Sequence, residues 1–224
     1  MRRNVTGSAA LLFMAISHML NAQCTGDLNH DQTVDLQDLL SLLVHYGDSC
    51  NGAPATYPQL HLSEIHYNPN SAQGNDSDWE FLELYNPNME AVELEGWRLT
   101  DAISINFQTS DTIPGHGFFT IGRNLDSLLT VLPNSAPCAQ WNGGEGLNNT
   151  GETIELRSPD DIVVIAVAYE DDDGWSAEPD GQGPSLEWFD VELPNEAPDS
   201  WTFSMFFGGT PGASNSAWGL SDPE

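Results

Sequence analysis

Between residues 60 and 206 this chain presents one short strand-like run after another and no convincing helical pattern, which confines its larger part to an all-β fold. The runs are 60–67, 79–86, 91–100, 117–122, 152–157, 162–169, 184–190 and 200–206, separated by clusters of Gly, Asn, Pro and Asp. A helical turn is compatible only with 124–132. In 79–85, Trp79, Phe81 and Tyr85 share a face with Glu83, while Leu82 and Leu84 share the other with Glu80. Both faces are partly apolar, so the strand is expected to be central. Run 162–169 is apolar on both faces, which fits a covered sheet. Roughly 160 residues suffice for one sandwich with its own core.

A different element precedes this region. Asp27, Asn29 and Asp31 occupy positions 1, 3 and 5 of a calcium loop, the Thr33 carbonyl position 7, Asp35 position 9 and Asp38 position 12. A hard cation wants six to eight oxygens, and this segment supplies them at that spacing. Gln32 stands where glycine usually makes the sharp turn, and Asp38 replaces the usual Glu. The plain alternative is a solvated acidic turn. Leu36, Leu39, Leu40 and Leu43 then repeat at helical spacing, which predicts a helix over 36–46 ending at Gly47. Leu42, Val44 and Tyr46 widen its apolar arc, so the helix needs a packing surface within the chain or on a protein partner.

Cys24 and Cys50 bracket this unit. In an oxidising compartment they are expected to pair, worth roughly 3–4 kcal/mol by loop-closure entropy. Cys138 is then a lone thiol with no basic neighbour in sequence to favour thiolate. Export is expected from residues 1–22, where Arg2 and Arg3 precede the apolar run Ala9 to Ile16 and Ala22 offers a small residue before a cut. Gln23 disfavours lipidation of Cys24. No stretch reaches the ~18 apolar residues of a membrane span. The expected location is therefore extracellular or at the cell surface.

The formal net charge is −29, with five basic residues, all Arg, against 34 acidic ones. This argues against binding nucleic acid phosphates or anionic membranes. It fits a solvated acidic surface, with cation sites as the alternative.

Acidic and aromatic residues carry the candidate chemistry. Glu80 and Glu83 point to opposite faces of one strand, which does not suit a pair flanking one glycosidic bond, although Glu64, Glu80 and Glu187 are free to converge. Ser185 lacks the Gly-x-Ser-x-Gly spacing of a nucleophile elbow and suits a turn that starts a strand. The histidines form no zinc motif. Asn75, Asp76, Asp78 and Glu80, and separately Asp171, Asp172, Asp173 and Asp180, are candidate further calcium ligands or else solvated carboxylates. Trp141 and Trp175 are the candidate glycan platforms, with core packing as the alternative; Trp188, Trp201 and Trp218 are further aromatics.

Gly26-Asp27-Leu28-Asn29-His30-Asp31 followed by Val34-Asp35-Leu36-Gln37-Asp38-Leu39-Leu40 resembles one repeat of a type I dockerin, a family in which Asp at position 12 is normal. Ser63-Glu64-Ile65-His66-Tyr67-Asn68-Pro69 and Asp78-Trp79-Glu80-Phe81-Leu82-Glu83-Leu84-Tyr85-Asn86-Pro87 resemble the opening of a bacterial lamin-tail domain. Leu94 to Leu99, Leu147 to Leu156, Gly183 to Glu187 and Gly208 to Asn215 continue that pattern. The resemblance implies an immunoglobulin-like β-sandwich that is not itself catalytic.

The expected architecture is mainly β: signal peptide 1–22, dockerin-like calcium loop and helix 24–50, linker 51–58, lamin-tail sandwich 59–216 and tail 217–224. The expected function is a secreted, calcium-binding, non-enzymatic binding or structural module. One alternative is an accessory component of polysaccharide degradation, holding an extracellular glycan or a protein partner through its dockerin-like helix. Another is a hydrolase with an unrecognised carboxylate site.

Overall fold

The computed structural model describes residues 33–36, 39–40, 56–141, 144–189 and 193–218. The chain divides into two compact units, Met1–Ala55 and Thr56–Glu224. In the first unit Leu36, Leu39 and Leu40 are helical with exposed side chains. The rest of the expected helix 36–46, the segment 1–22, Cys24, Cys50 and most of the expected calcium loop lie outside the described residues.

The second unit is built from strands. Alternating apolar residues form β1 (His61–His66), β2 (Phe81–Tyr85), β7 (Phe118–Gly122), β8 (Cys138–Gln140), β11 (Leu186–Trp188) and β12 (Trp201–Phe203), which make one sheet in the order β12-β11-β1-β2-β7-β8. A second sheet runs β10-β9-β4-β5, from β4 (Arg98–Asp101), β5 (Ile105–Asn106), β9 (Gly151–Arg157) and β10 (Val163–Glu170). A small ribbon pairs β3 (Val92–Glu93) with β6 (Thr112–Ile113). Leu62, Ile65, Leu82, Leu84, Phe119 and Ile121 from the first sheet join Leu99, Ile154, Leu156, Ile165 and Val167 from the second in one buried cluster. That is a sandwich core, and burying each such side chain is worth about 1.5–3 kcal/mol.

β2 lies between β1 and β7, the central position its two apolar faces predict. Its start differs from expectation: Asp76–Trp79 forms a helical turn, α1, and the strand opens only at Phe81. Run 91–100 is likewise broken, because Gly96 (φ 78°) turns the chain between β3 and β4 and drops Trp97 into the core. The expected covering of 162–169 is corrected. β10 is an edge strand that buries Ile165, Val167 and Tyr169, while Val163 and Ala168 remain exposed. A second helical turn, α2 (Leu125–Leu128), lies inside 124–132; Asn124 caps it by accepting from the Ser127 N–H at 3.3 Å.

A β-bulge sets which side chains of β1 reach the outer face of the first sheet. In the β1–β2 ladder Leu62 pairs with Leu84 but Glu64 pairs with Glu83, so Ser63 is an extra residue. The bulge lets Leu62 and Ile65, three apart in sequence, both face the core. Glu64 and His66 are thereby turned outward.

Candidate functional site

Three glutamates stand in a row across that outer face. Glu187 on β11 is paired with Glu64 on β1, which is paired with Glu83 on β2, which is paired with Thr120 on β7. All three residues have 0% exposure. They are sealed by the segment that follows β12, residues 208–218. Thr210 N donates to Glu64 Oε1 at 2.8 Å, Gly212 N donates to Glu83 Oε2, and Ala217 N donates to Glu187 Oε2 at 3.0 Å. Hydroxyls complete the set: Ser185 donates to Glu64 Oε1, Thr120 to Glu83 Oε2 at 2.7 Å and Ser216 to Glu187 Oε2 at 2.8 Å. Asn215 Nδ2 ties the same segment to the carbonyls of Ser63 and Trp188, each at 2.7 Å. Gly209 (φ 78°) crosses directly over the row, where a Cβ would collide with Glu64 Oε1 and Ser185 Oγ.

Among the described residues no cation takes part. The three described arginines are paired elsewhere, Arg98 with Asp161, Arg123 with Glu80 and Arg157 with Glu155 and Asp161. Burial pushes the Glu64 carboxyl well above the usual range, and the neighbouring Glu83 and Glu187 push it further. Burial likewise raises Glu83 to about 8, against the pull of Gly212, Thr120 and Ser63. The hydroxyl geometry agrees. Thr210 Oγ1 lies 3.1 Å from Glu64 Oε2 and 2.9 Å from Glu187 Oε1, but it has a single proton to donate. One of those two contacts therefore needs a proton on the carboxyl side, and Glu64 is the group that holds one. Ser63 Oγ donates to the Glu83 carbonyl at 3.2 Å and, more weakly, toward Glu83 Oε1 at 3.4 Å.

The sealing segment is also the wall of a groove of about 430 Å³. Its floor is His66 and Phe81, the next pair along the β1–β2 ladder, and its other sides are Trp79 of α1, Leu128 of α2, Val131 and Phe207. Gly208 to Thr210 form the near wall. His66 is buried, which lowers it to about 4 despite Gln73 and the Pro184 backbone, so its ring is neutral at physiological pH. Gln73 Nε2 contacts its Nε2 at 3.2 Å. Val131 and Phe207 are 51% and 59% exposed at the mouth, and Leu129, Met205 and Phe206 beside them in the chain are exposed too.

The convergence of acidic side chains differs from the one expected. Glu64 and Glu187 meet, but their partner is Glu83 and not Glu80. Glu80 stands one residue before β2, where its carboxyl accepts from Arg123 at 2.7 Å and from the Leu147 N–H at 2.9 Å. Burial raises it, with Leu147 and Arg123 opposing. Asp78, of the 75–80 cluster, accepts from Asn124 at 2.8 Å. In the other cluster Asp180 accepts from Asn68, and the carboxylates that come together are Glu170, Asp172 and Asp173, within 4.8 Å of one another and all exposed. Trp141 and Trp175 are buried, so neither is a glycan platform. Ser185, fully buried, precedes β11 and serves Glu64. Cys138 is a free, half-buried thiol that burial, and secondarily Asp111, hold in its protonated form. Thr33 and Asp35 of the expected calcium loop are exposed; Asp27, Asn29, Asp31 and Asp38 lie outside the described residues.

The sequence did carry a signal for the row. Glu83 lies between Leu82 and Leu84, Glu187 between Leu186 and Trp188, and Glu64 beside Ile65, so each interrupts a strand-like run where a charge has little solvent to meet. The groove left no such mark, since its walls come from five separate segments.

A family model for the Lamin Tail Domain matches residues 53–171. The match takes in Glu64, Glu83 and Thr120 and ends before β11 and the sealing segment. No curated protein matches the chain.

Proposed function

From the premise that this chain belongs to the lamin tail domain family, an immunoglobulin-like sandwich, we propose that it is a secreted, calcium-binding, non-enzymatic module whose sandwich binds a partner or serves as structure. The observation that carries this reading is the sealing of the glutamate row. A hydrolytic carboxylate pair needs lone pairs open to substrate and water. Here the oxygens of Glu64, Glu83 and Glu187 are fully buried and committed to main-chain N–H groups and hydroxyls. They hold the chain together and leave no place for a substrate. The open feature beside them is an apolar groove, which suits binding.

Calcium is assigned to Asp27, Asn29, Asp31, Thr33, Asp35 and Asp38 on ligand type and spacing, with Cys24 and Cys50 as the oxidised pair enclosing the loop. Export follows from residues 1–22. Among the described residues no helix is long and apolar enough to cross a membrane.

Two measurements test the reading. Calorimetric titration of the full chain should reveal a calcium site that disappears in Asp27→Ala/Asp31→Ala. With calcium saturating, phosphoester, glycoside and peptide substrates should all remain uncut. Turnover abolished by Glu187→Gln alone would show the row to be an active site.

A further inference from the structure

We propose that the groove beside the glutamate row docks a protein segment carrying bulky apolar side chains flanked by lysine or arginine. This rests on the binding-module function and names its partner. The volume, about 430 Å³, is within the ~300–1,000 Å³ range of specific ligand sites. The surfaces that face an occupant are rings and branched aliphatics, namely Trp79, Phe81, Val131 and Phe207.

Two of the polar side chains at the groove are already engaged, while the buried His66 Nδ1 has no hydrogen-bond partner. Thr210 Oγ1 is shared between Glu64 and Glu187, and the Gln73 side chain serves the Asn70 N–H and the His66 ring. A sugar entering here would surrender the hydration of its many hydroxyls for few donors or acceptors, the buried His66 Nδ1 being one. An apolar side chain gives up no such hydration. That favours peptide over glycan.

Charge selects among peptides. The two helical turns that supply Trp79 and Leu128 also carry Asp76, Asp78 and Asp126, and every described arginine is already paired. Against a chain of net charge −29, a cationic segment is attracted. An acidic peptide, an anionic bilayer and a second copy of this chain are all repelled. His66, neutral and buried, offers no counter-charge to an anion.

The test is selection of a random peptide display library on the full chain and on Phe207→Ser/Val131→Ser. Both residues are more than half exposed, so the double variant keeps its core. The expected result is enrichment of peptides that combine aromatic or branched-aliphatic residues with lysine or arginine. A synthetic consensus peptide should bind the double variant about tenfold more weakly than the parent. It should also lose about tenfold when its basic residues become glutamine, and several-fold in roughly 0.5 M salt. Enriched peptides that need Phe207 but carry no basic residues would keep the groove as a binding site and overturn the basic partner. Enrichment indifferent to the double variant, or none at all, would overturn both the partner and the groove. Retention on cellulose or on phosphatidylcholine vesicles that the double variant loses would assign the groove to glycan or bilayer and overturn the proposal.

Discussion

Two carboxylates placed opposite each other on adjacent strands repel when both are charged, and the row Glu187–Glu64–Glu83 contains two such pairs with no described cation beside them. Protonation resolves the conflict, and it has a consequence for stability. Glu83 titrates near 8 in the folded protein but near the ordinary 4.5 when unfolded. Below the ordinary range both states hold the proton and the full contribution is present. As pH rises the unfolded chain releases its proton first, so stability falls until about pH 8 and is then level. Glu64 acts in the same direction. The buried histidines work the other way. His66, lowered to about 4, and His61, lowered by burial against Glu196, add stability as pH rises to their ordinary 6.5 and nothing beyond it. Between pH 6.5 and 8 only the carboxyl effect remains. The melting temperature is expected to drop by about 5 °C across that interval. Glu83→Gln, which mimics the protonated acid, should flatten part of the drop and leave the share that Glu64 contributes. An equal drop in that variant would show that the row does not control it.

At the scale of elements, the part that makes the site is the irregular segment 208–218. It has no strand of its own, yet it supplies donors to all three glutamates through Thr210, Gly212, Ser216 and Ala217. It also carries Trp218, whose ring packs on Tyr85 and Phe118. Ending the chain at Phe207 would strip the three carboxyls of those partners and open the row to water, so that neighbouring carboxylates repel across the strands at pH 8, and would remove the packing of Trp218. Marginal stability of ~5–15 kcal/mol cannot absorb that easily. The truncated protein is expected to lose its cooperative melt at pH 8 and to regain part of it at pH 5, where Glu64 and Glu83 are nearer to protonation. Indifference of the truncated protein to pH would show that the segment holds the sheet by packing alone. The bulge at Ser63 is the matching element inside the sheet. Without the extra residue, β1 could not present Leu62 and Ile65 inward and Glu64 and His66 outward together.

At the scale of the whole molecule, Met1–Ala55 and Thr56–Glu224 are separate compact units, and the second encloses its own core. Residues 56–218 alone are therefore expected to give a strand-dominated far-UV spectrum and one cooperative melt whose midpoint is unchanged by chelating calcium. A midpoint that rises with calcium would locate a cation site in the sandwich, with Glu170, Asp172 and Asp173 as the residues to replace. The all-β class and the central place of β2 were legible in the sequence, whereas the break at Gly96 inside run 91–100 was not. What was legible follows from a local rule, the period-2 alternation of apolar residues. The acidic motif residues were legible as a set but not as an arrangement. Which glutamate joins Glu64 and Glu187 depends on strand register and on one bulged residue, and a shift of one position exchanges the two faces of a strand. Glu80 and Glu83 are three residues apart, and pairing alone decides that one meets Arg123 and the other the buried row. The tryptophans followed the same logic, since Trp141 and Trp175 lie in loops by sequence and in the core by packing. Local sequence determined what each segment is; only the tertiary structure decided which distant segments meet, because contact between residues 64, 83, 187 and 210 is a property of the closed sandwich and of no segment within it.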